Sequence, residues 1–268
     1  MELPLPDPAP AEQPEAPPDL AGGSTWTEAL PKLRAEWERH LQQWPPAETA
    51  LADRTADEPG SWRGEDGQYL NAEQNMVADH ALERVRAAEA GVSRTLHSIE
   101  SAIPGARLVG LEHCLKGEER FKEKIADELS TKPDRSMAEV TGRMPDAMRY
   151  TFEVNVENYV ESYWQRCDAL ARCGYEMLLS RNSWQIPDYK GINTRWLTPD
   201  KQIFEVQFHT PESYQAKQLT HHAYERLRIG SASGAERPDL ELFQQSVSSH
   251  VPNPDGVAEI PDYRREGY

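Results

Sequence analysis

One short stretch, residues 203–209 (Ile-Phe-Glu-Val-Gln-Phe-His), constrains the fold of this chain more than any other. Successive side chains of a β-strand point to opposite faces of the sheet. One face then carries apolar side chains and the other polar ones, namely Phe204, Val206 and Phe208 against Glu205, Gln207 and His209. A mid-strand carboxylate between aromatic neighbours is costly to bury unless a cation, a metal ion or hydrogen-bond donors meet it. The pattern predicts a strand with one face for packing and one for chemistry.

The segment just before this strand completes a hairpin. Residues 188–193 (Asp-Tyr-Lys-Gly-Ile-Asn) predict a partner strand, and the turn residues Leu-Thr-Pro-Asp-Lys at 197–201 connect the two. Alternation predicts two more strands, over residues 149–154 and 175–179, and residues 106–111 form an extended connection. The hairpin therefore belongs to a larger sheet.

Apolar residues at helical spacing predict helices over residues 24–44, 71–101, 116–129, 158–173 and 212–227, and a short one near 240–247. The order of helices and strands is typical of an α+β protein with a small mixed β-sheet flanked by helices and an N-terminal helical extension. Trp26 and Trp37 lie on the apolar stripe of the first helix. We expect this stripe to pack on the domain, and a helix that binds a partner is the alternative.

Composition divides the chain into four regions. Residues 1–23 alternate proline with acidic and small residues and predict an extended leader, and residues 24–105 form a helical region. The main domain is expected over 106–230 and a C-terminal tail over 231–268. The formal charge of -16 argues against a broad nucleic-acid-binding face, but residues 71–235 carry 24 acidic and 21 basic side chains. A local basic pocket for phosphates is therefore compatible with the composition.

Two carboxylates stand where a sheet could bring them together. Asp146 immediately precedes the strand at 149–154, and Glu205 lies inside the strand at 203–209. Carboxylate oxygens are hard ligands of the kind that Mg²⁺ prefers, and a triphosphate would be the natural further partner. The pair predicts a magnesium site at one edge of a cleft.

The hairpin residues also resemble a known family. Tyr-Lys-Gly-Ile-Asn at 189–193, followed by Glu-Val-Gln-Phe-His-Thr at 205–210, resembles the synthetase domain of the RelA/SpoT homologue family, over roughly residues 108–228. That family transfers pyrophosphate from ATP to a nucleotide 3′-hydroxyl. The resemblance implies its nucleotidyltransferase-like synthetase fold, with Mg²⁺ as cofactor and ATP as donor substrate.

The resemblance also implies a role for each matching residue. Asp146 would hold Mg²⁺, and Glu205 would be a metal ligand or the general base for the acceptor hydroxyl. The donor phosphates would be held by Lys116, Lys122, Lys124 and Arg149. The acceptor would be bound by Tyr189, which stacks on the base, and by Lys190, Asn193, Gln207 and His209. Without the resemblance, the lysines also fit a solvated helix face with neighbouring glutamates, and Tyr189 fits an aromatic packed on the sheet.

Three positions depart from the family pattern. Arg149 stands where the family usually has glycine, His209 replaces the commoner arginine, and Asn193 replaces the commoner histidine. These variants resemble the small, toxin-like branches. The predicted function is therefore Mg²⁺-dependent pyrophosphate transfer to a nucleotide, of the alarmone-synthesis type, with growth arrest by a toxin as one setting. Alternatives are transfer to the 3′ end of tRNA, transfer of AMP, and a silent nucleotide-sensing or interaction module.

Expectations about partners and location follow from the same analysis. The acceptor would be GDP or GTP, or else ADP or AMP, and tRNA and a neutralising antitoxin or immunity protein are further candidate partners. No stretch approaches the ~20 apolar residues of a membrane span, so no membrane partner is expected. Three scattered cysteines, Cys114, Cys167 and Cys173, favour a reducing compartment. We expect action in the cytoplasm, with delivery as part of a toxin system as the alternative.

Overall fold

The architecture was analysed in a computed structural model, which describes residues 25–45, 58–228 and 230–268. The predicted leader, residues 1–23, lies outside the described residues. Most helices begin where a polar side chain can cap them. Asn71 and Gln74, for example, form a reciprocal capping box at the start of the longest helix. The α-helices are α1 (Trp26–Gln43), α2 (Ala72–Ala102), α3 (Glu118–Thr131), α4 (Met137–Gly142), α5 (Tyr159–Arg172), α6 (Pro211–Arg228) and α7 (Arg237–Ser249).

The strands form a two-stranded hairpin and a six-stranded mixed sheet. The hairpin pairs β1 (Trp62–Arg63) with β2 (Tyr69–Leu70). The large sheet has the order β3-β4-β7-β6-β5-β8, in which only β4 and β7 are parallel. Its strands are β3 (Ala106–Val109), β4 (Arg149–Val154), β5 (Glu176–Asn182), β6 (Ile192–Leu197), β7 (Ile203–His209) and β8 (Tyr263–Arg264). The predicted α+β class with a mixed sheet and an N-terminal helix is confirmed.

The two faces of the sheet serve different purposes. On one face Phe208 packs against Phe152 of β4 and Tyr163 of α5, with ring centroids 5.8 and 5.1 Å apart. The Tyr159 hydroxyl of α5 donates to the Phe208 carbonyl at 2.7 Å, so α5 is fixed on this face. The other face carries Glu205 and Gln207, and α6 follows directly after β7. The apolar half of β7 thus builds the core, and the polar half is left for a site.

Helix α1 docks on the C-terminal part of the domain. Trp37 is buried and stacks on Phe243 of α7 with ring centroids 5.2 Å apart. At the turn before α7, buried Glu236 accepts hydrogen bonds from His40 of α1 at 3.0 Å and from Arg226 of α6 at 2.8 Å. The tryptophan stripe therefore packs on the domain, as expected from the sequence.

Four local expectations differ from the structure. The first hairpin strand begins at Ile192, so residues 188–191 are a loop in front of β6. Residues 106–109 are an edge strand, because β3 pairs with β4. Residues 130–145, for which no helix was predicted, contain α4, which is capped by Ser136. Residues 231–268, predicted as a tail, contribute α7 to the core and β8 to the sheet. The division of the chain into domains stays a prediction.

No helix in the described part of the chain combines the length and the apolar character that crossing a membrane requires.

The docking of α1 leads to a stability prediction. Trp37→Ala should lower the free energy of unfolding by about 3 kcal/mol, because truncating a buried aromatic side chain leaves a cavity. Urea denaturation followed by circular dichroism measures the change. Trp164→Ala is the matched control. Trp164 is 44% exposed, so this substitution should lower the free energy of unfolding by less than about 1 kcal/mol. Equal losses in the two variants would contradict the docking of α1.

Candidate functional site

Backbone pairing brings Lys116 beside Asp146. The Lys116 amide donates to the carbonyl of Ala147 at 3.0 Å, and the Arg149 amide donates to the carbonyl of Cys114 at 2.8 Å. Asp146 lies in the single helical turn Pro145–Ala147, immediately before β4. Residues 114–116 thus run along the start of β4, and the side chains of Lys116 and Asp146 meet at this N-terminal end of the strand.

The parallel pair β4 and β7 places Arg149 opposite Glu205. The two residues are in register, and the Glu205 amide donates to the carbonyl of Met148 at 2.9 Å. Arg149 Nε donates to Glu205 Oε1 at 3.0 Å, and Arg149 Nη2 reaches Asp146 Oδ2 at 3.4 Å. One guanidinium therefore joins the two carboxylates that the sequence singled out.

Asp146 is surrounded by cations. Lys124 Nζ of α3 lies 2.5 Å from its Oδ1, and Lys116 Nζ lies 3.2 Å from its Oδ2. Burial disfavours its charged form, but Lys124, Lys116 and then Arg149 outweigh burial and hold the pKa of Asp146 well below its ordinary value. Burial alone would lower the pKa of Arg149, yet Glu205 and Asp146 raise it. Both groups are therefore charged at neutral pH.

A chain of hydrogen bonds continues from Glu205 to α6. Gln207 Nε2 donates to Glu205 Oε1 at 2.5 Å, and Lys217 Nζ donates to Gln207 Oε1 at 2.5 Å. Burial, and then the charge of Arg149, lower the pKa of Lys217 to about 8. We call the six charged residues that these contacts connect the charge cluster: Asp146, Glu205, Lys116, Lys124, Arg149 and Lys217. It contains four cations and two carboxylates.

Tyr189, Asn193 and His209 form a second group beside the cluster. The Tyr189 hydroxyl lies 3.0 Å from both Asn193 Oδ1 and His209 Nε2, and His209 Nδ1 lies 2.9 Å from Ser213 Oγ. Burial and the charge of Lys217 hold the pKa of His209 well below its ordinary value, so the ring is neutral. With the tyrosine donating to Asn193, His209 donates to the tyrosine and accepts from Ser213.

Gly191 is required where the loop crosses this group. Its φ is 154°, and a Cβ there would lie 2.7 Å from His209 Cε1. Any side chain would push the loop away from β7. The glycine of the sequence motif thus allows Tyr189 to reach His209.

Three predicted site residues do not face the charge cluster. Lys122 was predicted to hold phosphate, but its Nζ pairs with Asp79 of α2 at 2.7 Å and with Glu118 at 3.1 Å. Lys190 donates to the carbonyls of Trp184 and Ile186, at 2.7 and 3.1 Å, and so holds its own loop. His209 is fully buried with both ring nitrogens bonded, so it positions Tyr189 and offers a substrate no free atom.

The sequence analysis missed Lys217 and Ser213. Both lie on α6, outside the strand motif. Thr210 Oγ1 accepts from the Ser213 amide at 3.2 Å, and Ser213 Oγ accepts in return from the Thr210 amide at 2.9 Å, so the two residues together cap the start of α6. Lys217 is one helical turn later, on the same side of the helix. The sequence does show a lysine, Lys217, four residues after Ser213. Its role could not be predicted without knowing which side of α6 covers β7.

The same side of α6 leads from the charge cluster to a cleft. Lys217, Tyr224 and Arg228 are spaced seven and four residues apart, which puts them on one face of a helix. Lys217 and Tyr224 are separated by roughly 10 Å along the axis. The cleft measures about 430 Å³ and is lined by Tyr224, Leu227 and Arg228 of α6, Glu241, Gln244 and Gln245 of α7, and Pro187 and Asp188. It adjoins Tyr189 through Asp188.

The donor chemistry of the cluster fits Mg²⁺ bound together with phosphate. Asp146 and Glu205 supply carboxylate oxygens, and no described residue donates a hydrogen bond to Glu205 Oε2. Among residues 25–45, 58–228 and 230–268, no three His, Cys, Asp or Glu side chains converge on one point. Mg²⁺ commonly takes one or two carboxylates and completes its shell with water and substrate phosphates. The site fits that kind of binding and not an all-protein cage.

Comparisons with solved structures find similar folds at low sequence identity. The type VI effector Tas1, solved with its immunity protein, is 16% identical, and the match covers 63% of this chain and 95% of that chain at a TM-score of 0.42. A GTP pyrophosphokinase family protein from Streptococcus pneumoniae is 11% identical over 66% of this chain and 89% of that chain, at a TM-score of 0.44. Small alarmone synthetase 1 from Bacillus subtilis, bound to its product pppGpp, is 14% identical over 64% and 87%, at a TM-score of 0.38.

No protein-family model and no curated protein matches the sequence.

The cations around Asp146 lead to a prediction about its titration. Lys124→Met should raise the pKa of Asp146 towards its ordinary value of 3.8, because Lys124 is the strongest of the neighbours that lower it. A depressed folded-state pKa stabilises the fold above the unfolded-state pKa, and this contribution is lost as the pH falls through the folded value. In the variant this contribution should be smaller, and its loss should be complete at a higher pH.

Carbon-13 NMR of the aspartate carboxyl groups measures this titration, with Asp146 assigned by its substitution to asparagine. Lys132→Met is the control, because Lys132 pairs with Glu128 on the surface of α3 and not with Asp146. An unchanged Asp146 titration in Lys124→Met would show that the ion pair does not form in solution.

Proposed function

We propose that this protein is an ATP-dependent pyrophosphokinase that transfers the β,γ-pyrophosphate of ATP to a ribose 3′-hydroxyl. The observation that carries the proposal is the composition of the charge cluster. Four cations and two carboxylates meet in a chain whose formal charge is -16. A local surplus of two positive charges favours a polyphosphate, and the carboxylates favour the metal ion that accompanies it.

The cations of the cluster would bind and orient the donor. Lys116, Lys124 and Arg149 now pair with Asp146, and in the complex they would exchange it for phosphate oxygens. Asp146 would then hold Mg²⁺. Bound Mg²⁺ would neutralise part of the negative charge of the phosphates. Lys122 is left out of this role because it is paired with Asp79.

Glu205 would act as the general base. Its Oε2 would accept the proton of the acceptor 3′-hydroxyl. At the same time a bond forms between the 3′-oxygen of the acceptor and the β-phosphorus of ATP. The bond from the β-phosphorus to the α,β-bridging oxygen breaks, and AMP leaves with that oxygen. The products are AMP and a nucleotide that carries a 3′-pyrophosphate, so the atoms balance without another reactant.

The acceptor base would lie in the cleft beside Tyr189. Tyr224 is 51% exposed there and offers a ring for stacking. Asp188, Gln244 and Gln245 also line the cleft, and no hydrogen bond or ion pair to another described residue occupies their side chains. Tyr189 is tied by its hydroxyl to Asn193 and His209, so in this proposal it forms the wall between cleft and cluster.

A label-transfer assay tests the reaction. Purified protein is incubated with Mg²⁺ and ATP labelled at the α or the γ phosphate, against GDP, GTP, ADP, AMP and deacylated tRNA. We expect the γ label in one nucleotide acceptor and the α label in AMP. Movement of the α label into an acceptor would identify a nucleotidyltransferase instead. ATP binding without any transfer would favour a sensing module, and labelled tRNA would favour the tRNA alternative.

Glu205→Gln should reduce the rate of transfer at least about 100-fold, the usual range for loss of a general base. Glu153→Gln is a closely matched control. Both glutamates are strand residues paired with an arginine, and their side chains are 10% and 11% exposed. A comparable loss in Glu153→Gln, or none in Glu205→Gln, would remove Glu205 from the mechanism.

Tyr224→Ala should raise the KM for the acceptor by roughly tenfold and leave the KM for ATP unchanged, because stacking on an aromatic ring contributes about 1–3 kcal/mol per base. Steady-state kinetics with each substrate varied in turn separates the two constants. Tyr263→Ala is the control, since Tyr263 is 47% exposed on β8 and does not line the cleft. An unchanged acceptor KM in Tyr224→Ala would place the base elsewhere.

A further inference from the structure

Lys217, on α6, contacts the rest of the charge cluster through one side-chain amide, that of Gln207. Its Nζ donates to Gln207 Oε1 at 2.5 Å and lies 5.6 Å from the centre of the Tyr214 ring. No carboxylate lies within salt-bridge distance of this ammonium group in the described residues. A half-buried lysine that contacts an uncharged amide and no acidic partner calls for an explanation beyond charge pairing.

The chemistry of the two groups determines how the amide is oriented. An ammonium group can only donate hydrogen bonds, and an amide accepts through oxygen and donates through nitrogen. Gln207 must therefore turn its oxygen towards Lys217. Its nitrogen then faces Glu205, to which it donates at 2.5 Å. Lys217 and Glu205 both require this orientation, because an ammonium group only donates and a carboxylate only accepts, so the oxygen and the nitrogen of the amide can be told apart.

The hydrogen bonds to Glu205 all converge on one of its oxygens. Arg149 Nε and Gln207 Nε2 both donate to Oε1, and no described residue donates a hydrogen bond to Oε2. Two donors on one oxygen fix the rotation of the carboxylate. One oxygen is held by the protein and the other is left for a substrate atom.

We propose that Lys217 is a positioning residue: it fixes the Gln207 amide so that Glu205 presents Oε2 to the acceptor hydroxyl. The catalytic consequence rests on the function proposed above, whereas the orientation of the amide does not. Without a donor at position 217 the Gln207 oxygen loses its hydrogen-bond partner, and the bond from its nitrogen to Glu205 alone restrains the amide. The amide then moves more freely, and the carboxylate loses part of the restraint on its direction.

The orientation is tested first, by NMR of the unliganded protein. The side-chain amide of Gln207, assigned through Gln207→Met, should be shifted and protected from hydrogen exchange in the wild type. Lys217→Met should reduce both properties, because only the bond to Glu205 then restrains the amide, and Lys217→Arg, which keeps a donor, should retain them. Lys132→Met on the surface of α3 should change neither. A Gln207 amide signal that is the same in Lys217→Met as in the wild type would overturn the proposal.

Kinetics then tests the consequence for catalysis. Lys217→Met should lower kcat by about 10- to 100-fold, the scale expected when a reacting group is misplaced, with the KM for ATP unchanged. Lys217→Arg should recover most of the rate. Gln207→Met should cause a similar loss, and adding Lys217→Met to it should cause little more, because Lys217 acts through Gln207. Additive losses would mean that Lys217 contacts the substrate directly, and the proposal would be wrong.

The two experiments distinguish failure of this inference from failure of the proposed function. If the wild type transfers no pyrophosphate, the function fails, and the NMR comparison still decides whether Lys217 orients Gln207. If the wild type is active and Lys217→Met keeps its rate, the positioning role alone fails. Circular dichroism of each variant shows whether a loss comes from unfolding.

Discussion

The site depends on one guanidinium between two carboxylates. Arg149 is the first residue of β4, and the parallel register with β7 puts it opposite Glu205, while Asp146 lies three residues earlier in the chain. Each carboxylate would be costly to bury alone, and so would the arginine. Together they allow polar groups to lie against a sheet whose opposite face is packed with aromatic rings. The parallel pairing of these two strands is therefore what makes the site.

The charge of the cluster is local and opposes the charge of the chain. Lys116 comes from the segment before α3, Lys124 from α3 and Lys217 from α6, so three separate elements bring cations to the same sheet edge. Acidic residues predominate instead at the N-terminal and C-terminal ends of the sequence. Within the described residues the cluster is thus a place where a chain of net negative charge can attract a polyphosphate, whereas the acidic ends of the sequence disfavour binding of longer nucleic acids.

The sequence predicted what regular alternation and helical spacing encode. The alternation in residues 203–209 predicted both faces of β7, and the bounds of β4 were predicted to the residue. Features that depend on tertiary contacts were missed. Two-residue β8 is too short to leave a pattern. Lys122 and Lys124 are two residues apart on α3, so they point in different directions, and only the packing of α2 decides which one meets an acidic partner outside the site. The role of Lys217 depends in the same way on the packing of α6.

The start of α6 connects the two halves of the site mechanically. Thr210 and Ser213 cap the helix through reciprocal hydrogen bonds, and Ser213 also contacts His209, which holds Tyr189. The cap fixes the rotation of α6 relative to β7, and Lys217 is one turn further along, above Gln207. The Tyr189 group and the contact between Lys217 and Gln207 are therefore both tied to one short segment, residues 209–217. A substitution at Ser213 would disturb both, although its own side chain touches neither Glu205 nor the cleft.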